Sequence, residues 1–331
     1  VSSSPQTSAA GTAYPPVSVI MPILNEEHHL REAVGSVLAQ DYPGGLEVVV
    51  AVGPCRDRTH EVADALAAED PRVVVVDNPG GRTPDGLNAA IAASTHQVVV
   101  RMDGHGALSE GYIRRAVEVL EETGAANVGG VMLAEGTGYL QQAVAVAMRS
   151  PLGIGAARFH VGGDAGPVDT VYLGVFRREW LERVGGYDPA FARAQDWELN
   201  HRIREAGGTV WFTPELTVTY RPRASLRDLA RQFYTTGQWR RQVVRAHPGT
   251  LNLRYLAPPV ATAAVAAGAV GGLVWRPLWA LPLGYAAAVT AGGAWAARAE
   301  RPAVVARMPA VLAVMHLTWG AGFLRGTRAR S

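Results

Sequence analysis

The stretch "VVVRMDGHGALS" (residues 98–109) runs from a β-branched apolar segment into a charged turn that carries Asp103, two glycines and His105. A short apolar run bounded by turn residues reads as a buried strand. Three similar runs precede it: "VSVIMP" (17–22), "LEVVVAV" (46–52) and "RVVVVD" (72–77). Helical patterns separate them. "NEEHHLREAVGSVLAQ" (25–40) has Leu30, Val34, Val37 and Leu38 on one face, with Asn25 placed to cap it. "RTHEVADALAAED" (58–70) and "PDGLNAAIAAS" (84–94) are the next two helices. This alternation predicts parallel strands joined by right-handed crossovers, with helices on both faces of the sheet.

Open parallel sheets bind ligands beyond the carboxyl ends of their strands. The Asp103–His105 turn sits at such an end, as do "GPCRD" (53–57) and "DNPGGRTPDG" (77–86). Three charged, glycine-containing loops are therefore expected around one crevice. After residue 109 the pattern becomes mixed α+β. It has a helix at 109–123, strands at 127–133 and 168–176, an amphipathic helix at 195–207 and short strands within 209–220. This half is expected to extend the same sheet.

The 331 residues carry a net charge of +2, and every basic residue is Arg. No global field favours nucleic acid, and the single Cys55 excludes an internal disulfide framework. Residues 1–16 are small and polar without an apolar core, so they read as a disordered tail and not a secretory signal. No G-x-G-x-x-G follows the first strand, which argues against a dinucleotide-binding dehydrogenase.

Asp103 and His105 stand two residues apart, so on an extended strand end their side chains share a side. A carboxylate and an imidazole can both ligate Mg²⁺ or Mn²⁺; a polar turn closing the strand is the plainer alternative. Asp196 opens the helix at 195, where the helix dipole favours a carboxylate. It reads either as such a residue or as a general base facing the crevice. Trp197 beside it reads as a wall of a ligand site or as a core aromatic.

Six segments taken together, "VIMPILNEE", "LEVVVAVGPCRDRT", "NPGGRTPDGLNAAI", "VVVRMDGHG", "YLGVFRREWLERVGGYDPAF" and "AQDWELNHRIREAGGTVWFTPEL", resemble the family 2 glycosyltransferases over residues 17–255. The resemblance is to the membrane-associated branch of the succinoglycan-type exopolysaccharide glucosyltransferases. It implies a GT-A fold, a nucleotide-sugar donor (a UDP-sugar first among them), a divalent Mg²⁺ or Mn²⁺ and inversion at the anomeric carbon. It implies Asp103 as the first metal aspartate, with His105 replacing the usual second one, and Asp196 as the catalytic base. Pro22, Asn25 and Glu26 match the first nucleotide-binding segment, Asp57 the second, and Arg82 and Asn88 positions lining the nucleotide site. Trp197, Arg240 and Arg241 are expected at the acceptor or its diphosphate. Where many members carry an acidic pair that reads uracil or ribose, this chain has Val52 and Gly53. Processive synthases carry Gln-x-x-Arg-Trp; "GQWRR" (237–241) has similar residues in another order, which favours transfer of a single sugar.

Residues 221–255 carry eight Arg against one acid, Asp228, with Phe233, Tyr234 and Trp239 interleaved. They read as an amphipathic segment on an anionic membrane surface; a nucleic-acid patch and a solvated helix face are the alternatives. The apolar runs at 256–275, 278–297 and 303–324 follow, the last interrupted by Arg307 and His316. Two or three membrane helices are expected over 256–331. The positive-inside rule then puts the 17–220 domain on the cytoplasmic side of the plasma membrane. A lipid-linked acceptor, such as a polyprenyl diphosphate sugar, fits this arrangement. A catalytically silent donor-binding partner of a synthase is the alternative function, and it would be expected to lose Asp103 or Asp196.

Overall fold

The structure is a computed structural model that describes residues 14–327. The first half alternates as expected: β1 (Val17–Ile23), α1 (Leu30–Leu38), β2 (Leu46–Val52), α2 (Thr59–Glu69), β3 (Val73–Asp77), α3 (Thr83–Ala93) and β4 (Val98–Arg101). The second half adds β5 (Ala107–Leu108), α4 (Tyr112–Thr123), β6 (Asn127–Ala134), α5 (Tyr139–Met148), α6 (Pro151–Ile154), α7 (Arg158–Val161), β7 (Gly166–Pro167), β8 (Tyr172–Arg177), α8 (Arg178–Arg183), α9 (Gln195–Glu205) and β9 (Val210–Tyr220). The described strands form one sheet in the order β3-β2-β1-β4-β8-β6-β9-β5, with β7 paired to β9. β1 to β4 are mutually parallel; β8 runs antiparallel to β4 and β6, while β6 and β9 are parallel.

Alternation along the strands buries both faces. Val17, Val19, Met21 and Ile23 pack with Val48 and Val50 beneath α1, α2 and α4. Ile20, Val49, Ala51 and Val99 face the other way, against Leu87 of α3, Leu181 of α8 and Leu199 and Ile203 of α9. The expected pair of short strands at 209–220 is one strand. Its register with β6 shifts between Gly129 and Val131, where exposed Pro214 leaves the ladder. A side chain at Gly130 would collide with the Leu216 carbonyl, so the irregularity needs glycine there.

Two expectations are corrected. Helix α1 begins at Leu30, and Asn25 does not cap it. Asn25 has φ +56°, its Oδ1 accepts from the Arg56 amide at 2.7 Å, and its own N–H reaches Cys55 Sγ at 3.2 Å. Bonds across to the 55–59 loop thus hold residues 25–27 as a turn. Residues 14–16 are not part of a loose tail. Tyr14 donates to Glu118 at 2.8 Å and stacks edge-on with Tyr42, which donates to the Pro15 carbonyl at 2.5 Å. Residues 1–13 of the expected tail lie outside the described residues.

The Arg-rich segment forms α10 (Leu226–Ala246), and the apolar remainder forms α11 (Leu253–Gly271), α12 (Ala280–Ala296), α13 (Pro302–Val305) and α14 (Met308–Arg325). Two helical stretches, Leu253–Gly271 and Pro302–Arg325, are long and apolar enough to cross a membrane. The 278–297 run yields a helix of only 17 residues, because its start is taken by a 3₁₀ turn over Arg276–Trp279. Helix α10 is not simply a surface helix: Leu229 and Phe233 pack with Val311, Leu312 and Met315 of α14, with Ala143–Met148 of α5 and with Met132 of β6. A third core therefore joins the apolar helices to the sheet domain through α5 and β6. The polar interruption His316 lies inside this contact, with its ring nitrogens 2.6 Å from the Leu152 carbonyl and 3.2 Å from the Tyr285 hydroxyl.

Candidate active site

The crevice is built from the carboxyl ends of β1 to β4. Strand β4 delivers Arg101 and Asp103 to the same side, two residues apart. Arg101 is 3% exposed, and its guanidinium joins two carboxylates: Nη2 lies 3.1 Å from Asp103 Oδ1, and Nη1 contacts Asp196 Oδ1. Burial alone would lower the Arg101 pKa; the Asp103 carboxylate outweighs it and the pKa is raised, so the cation is held firmly. Asp196 comes from the first turn of α9, behind Ala194 in the left-handed conformation at φ +60°. Two carboxylates from distant parts of the chain thus meet on one buried guanidinium. Reading the residues one by one missed Arg101, although a charge inside "VVVRMD", on the Asp103 side of the strand, was the signal for it.

His105 is half-exposed, and its Nδ1 lies 2.8 Å from Glu26 Oε1. The hydrogen bond to Glu26 raises the His105 pKa. A carboxylate that fixes one ring nitrogen and leaves the other outward is the arrangement that orients a ligating imidazole. Among the described residues no three His, Cys, Asp or Glu side chains gather into a cage. The donors present, Asp103 with His105, suit a cation that completes its shell with waters and substrate phosphates.

The loops after β1 and β2 are tied together. Asp57 accepts from the Thr59 hydroxyl at 2.5 Å and from the Glu27 amide at 3.2 Å, and its pKa is lowered, first by Thr59. The Glu26 amide donates to Thr59 Oγ1 at 2.8 Å. Asn25, Glu26 and Asp57 therefore sit in one rigid double loop, beside Pro22 at the end of β1. Arg82 is half-exposed and paired with Asp85 at 2.7 Å. Both ends of the Asn88 amide are taken by the Tyr187 backbone, at 2.7 and 2.8 Å, so Asn88 anchors the 187 loop.

Trp197 and Arg240 do meet: the guanidinium lies 4.2 Å from the indole centroid. Arg241 is apart from them, donating to the Phe323 carbonyl at 3.0 Å and to that of Leu324 at the end of α14. The two other acids near α9 differ from Asp196. Glu198 is buried and accepts two 2.7 Å bonds from Arg202, with His247 3.2 Å away. Asp169 is 57% exposed, at 3.7 and 3.8 Å from Arg204 and Arg254.

Known proteins match this architecture. The model of the family described as "Glycosyl transferase family 2" matches residues 18–185. The succinoglycan biosynthesis protein ExoA of Rhizobium meliloti (strain 1021) is 33% identical over 311 residues, covering 93% of each chain. Two solved structures share the fold. One is the mannosyltransferase PcManGT from Pyrobaculum calidifontis in complex with GDP-Man and Mn²⁺, with TM-score 0.61 and 23% identity over 97% of this chain and 89% of that one. The other is S. aureus TarS 1-349 in complex with UDP, with TM-score 0.51 and 15% identity over 95% and 93% of the two chains. With the sheet, the paired carboxylates and the family model in agreement, the chain belongs to the family 2 glycosyltransferases and is a glycosyltransferase of the GT-A fold.

Proposed function

We propose that this enzyme moves a single sugar, with inversion, from a nucleotide-sugar donor to a lipid-linked or saccharide acceptor at the cytoplasmic face of the plasma membrane. The products would serve cell-surface polysaccharide or glycolipid assembly, in line with the succinoglycan biosynthesis protein it resembles. The observation that carries the reading is the Arg101 bridge between Asp103 and Asp196. Two carboxylates, one proposed for the metal and phosphate side and one proposed as the base, meet on this one buried cation, which supports their acting at neighbouring points of one site.

The loops at 22–27 and 53–57, with Arg82 near the 189 carbonyl, would receive the nucleotide, a UDP-sugar first among the candidates. Asp103 and His105 would hold Mg²⁺ or Mn²⁺, which when bound would supply positive charge to the leaving diphosphate. Arg101 contacts one oxygen of Asp196, and the other would take the proton from the acceptor hydroxyl. Two membrane-length helices and the α10 arginines support a multi-pass attachment with the catalytic domain cytoplasmic.

The test is release of nucleoside diphosphate by the full chain in detergent, across a panel of nucleotide-sugars, with and without membrane lipid extract. Release that requires Mn²⁺ or Mg²⁺ and rises with lipid extract is the expected result. Full turnover in EDTA would overturn the metal half of the reading, and transfer indifferent to lipid extract would remove the lipid-linked acceptor and leave the saccharide one.

A further inference from the structure

Beside the carboxylate pair lies a second polar cluster that the chemistry above does not use. Four buried nitrogens have no hydrogen-bond partner among the described residues there: Trp197 Nε1, His201 Nδ1, Arg204 Nε and Arg240 Nε. Trp197, His201 and Arg204 follow the i, i+4, i+7 spacing of one face of α9. The Trp197 and His201 rings stack at 5.3 Å. Arg240 lies between the Trp197 ring at 4.2 Å and the Tyr255 ring at 3.7 Å. Arg254 covers Tyr255 at 4.7 Å and stands 3.8 Å from Asp169, which is 3.7 Å from Arg204. These contacts run from Trp197 through Arg240, Tyr255, Arg254 and Asp169 to Arg204, which shares its face of α9 with Trp197 and His201, so the residues form a ring.

Arg240 is 6% exposed, and its Nη2 donates to the Thr250 carbonyl at 2.6 Å. Among the described residues no carboxylate pairs with it. Burial pulls its pKa down to about 10, so it stays charged at neutral pH. A buried cation without a counter-charge is costly, and the ring holds three guanidinium groups to one carboxylate. Arginine forks and an indole N–H match the oxygens of a phosphate. One edge of the ring is Trp197, next to Asp196. The other is Arg254 and Tyr255, in the first turn of α11, a helix long and apolar enough to cross a membrane.

We infer that this ring, between α9, α10 and the start of α11, binds the phosphate or diphosphate of a membrane-borne acceptor and so sets the acceptor sugar against Asp196. The inference rests on the lipid-acceptor reading given above. It assigns the acceptor phosphate to Arg204 and Arg240, away from the strand-end loops proposed for the donor.

The full chain in phosphatidylethanolamine nanodiscs, with and without a long-chain polyprenyl diphosphate, provides the test. Thermal stabilisation and direct binding would be read for that lipid, for the free polyprenol, for inorganic pyrophosphate and for UDP. The wild type should bind the polyprenyl diphosphate and not the polyprenol. Arg240→Gln and Arg204→Gln should each weaken that binding by at least about tenfold and leave UDP binding unchanged. Arg204 is only half-buried, so its variant decides if Arg240→Gln fails to fold. Equal binding of the lipid by folded variants would overturn the inference and leave the lipid-acceptor reading standing. So would stabilisation by phosphatidylglycerol nanodiscs alone, or competition between pyrophosphate and UDP for one site. Transfer to a water-soluble sugar by a wild type that binds no polyprenyl diphosphate would instead remove the lipid-acceptor reading itself.

Discussion

Asp196 and Asp103 share Arg101, and their substitutions should still separate. Asp196→Asn keeps a residue that serves a helix start and keeps an oxygen for Arg101. It should retain donor affinity and lose transfer by about 10²–10⁴-fold, the range for removal of a general base. A near-wild-type rate in the purified variant would reject the assignment, and Glu198 would be a poor replacement because Arg202 and His247 occupy it. Asp103→Ala should abolish activity and donor binding together. Arg101→Met leaves two carboxylates without their common cation, so it should lower both rate and melting temperature, by about 1–3 kcal/mol in stability. A pH effect belongs to His160, which is buried on α7 with Nδ1 unpartnered among the described residues. Burial pushes its pKa down to about 3. The fold therefore prefers the neutral ring, and this contribution is present above pH ~6.5 and lost as pH falls below it. Within that window stability should fall by up to about 1.4 kcal/mol per pH unit from this group. Melting curves of wild type and His160→Gln between pH 7 and 5 check it: the variant should show the shallower slope.

At the scale of elements, the contact between α10 and α14 is the least expected from sequence and the easiest to break. A Cβ at Gly237 would strike the Trp319 carbonyl, and one at Gly322 the Tyr234 carbonyl. Small residues let the two helix backbones touch, as they do between packed membrane helices. Gly237→Ala meets backbone and not a movable side chain, so it should cost about 1–3 kcal/mol. Gly284→Ala, on α12 with nothing within 4 Å of the new carbon, should leave the melting temperature unchanged or raise it. Equal effects of the two changes would contradict the packing. The periodicity of 221–255 showed a helix with an apolar stripe at Leu229 and Phe233, but a stripe does not name its partner. Membrane lipid and α14 satisfy the same pattern, and nothing local in the sequence pairs Gly237 with Gly322, which lie 85 residues apart. The start of α1 escaped for a similar reason: Asn25 is a good cap residue and an equally good left-handed turn residue, and only the 55–59 loop opposite it decides.

For the molecule as a whole, the core shared by α5, α10 and α14 bears on truncation. Residues 1–255 keep every loop proposed for the nucleotide, since all precede residue 110, so they should bind donor with near-full affinity. They lose the helices that cover Ala143–Met148, so they should melt lower, bind an apolar dye and lose most activity on a lipid acceptor. Isothermal titration of UDP and activity on nanodisc-borne acceptor check both halves; full activity of the truncated chain would leave the apolar helices without the proposed role. The strand–helix alternation, the loops at the carboxyl ends of β1 to β4 and the apolar character of the last quarter were determined by the sequence alone, and each is a local pattern carried by period or turn chemistry. Asp103, His105 and Asp196 were singled out as candidates by the family resemblance, since spacing and helix-start position alone left a plain structural reading for each. Only the tertiary structure decided that Arg101 would reach Asp196 across 95 residues, that Asn88 would hold the Tyr187 backbone, and that Arg240 would lie between Trp197 and Tyr255. Those pairings depend on which loops the sheet order brings side by side, and a one-dimensional pattern holds no distance between residues that far apart.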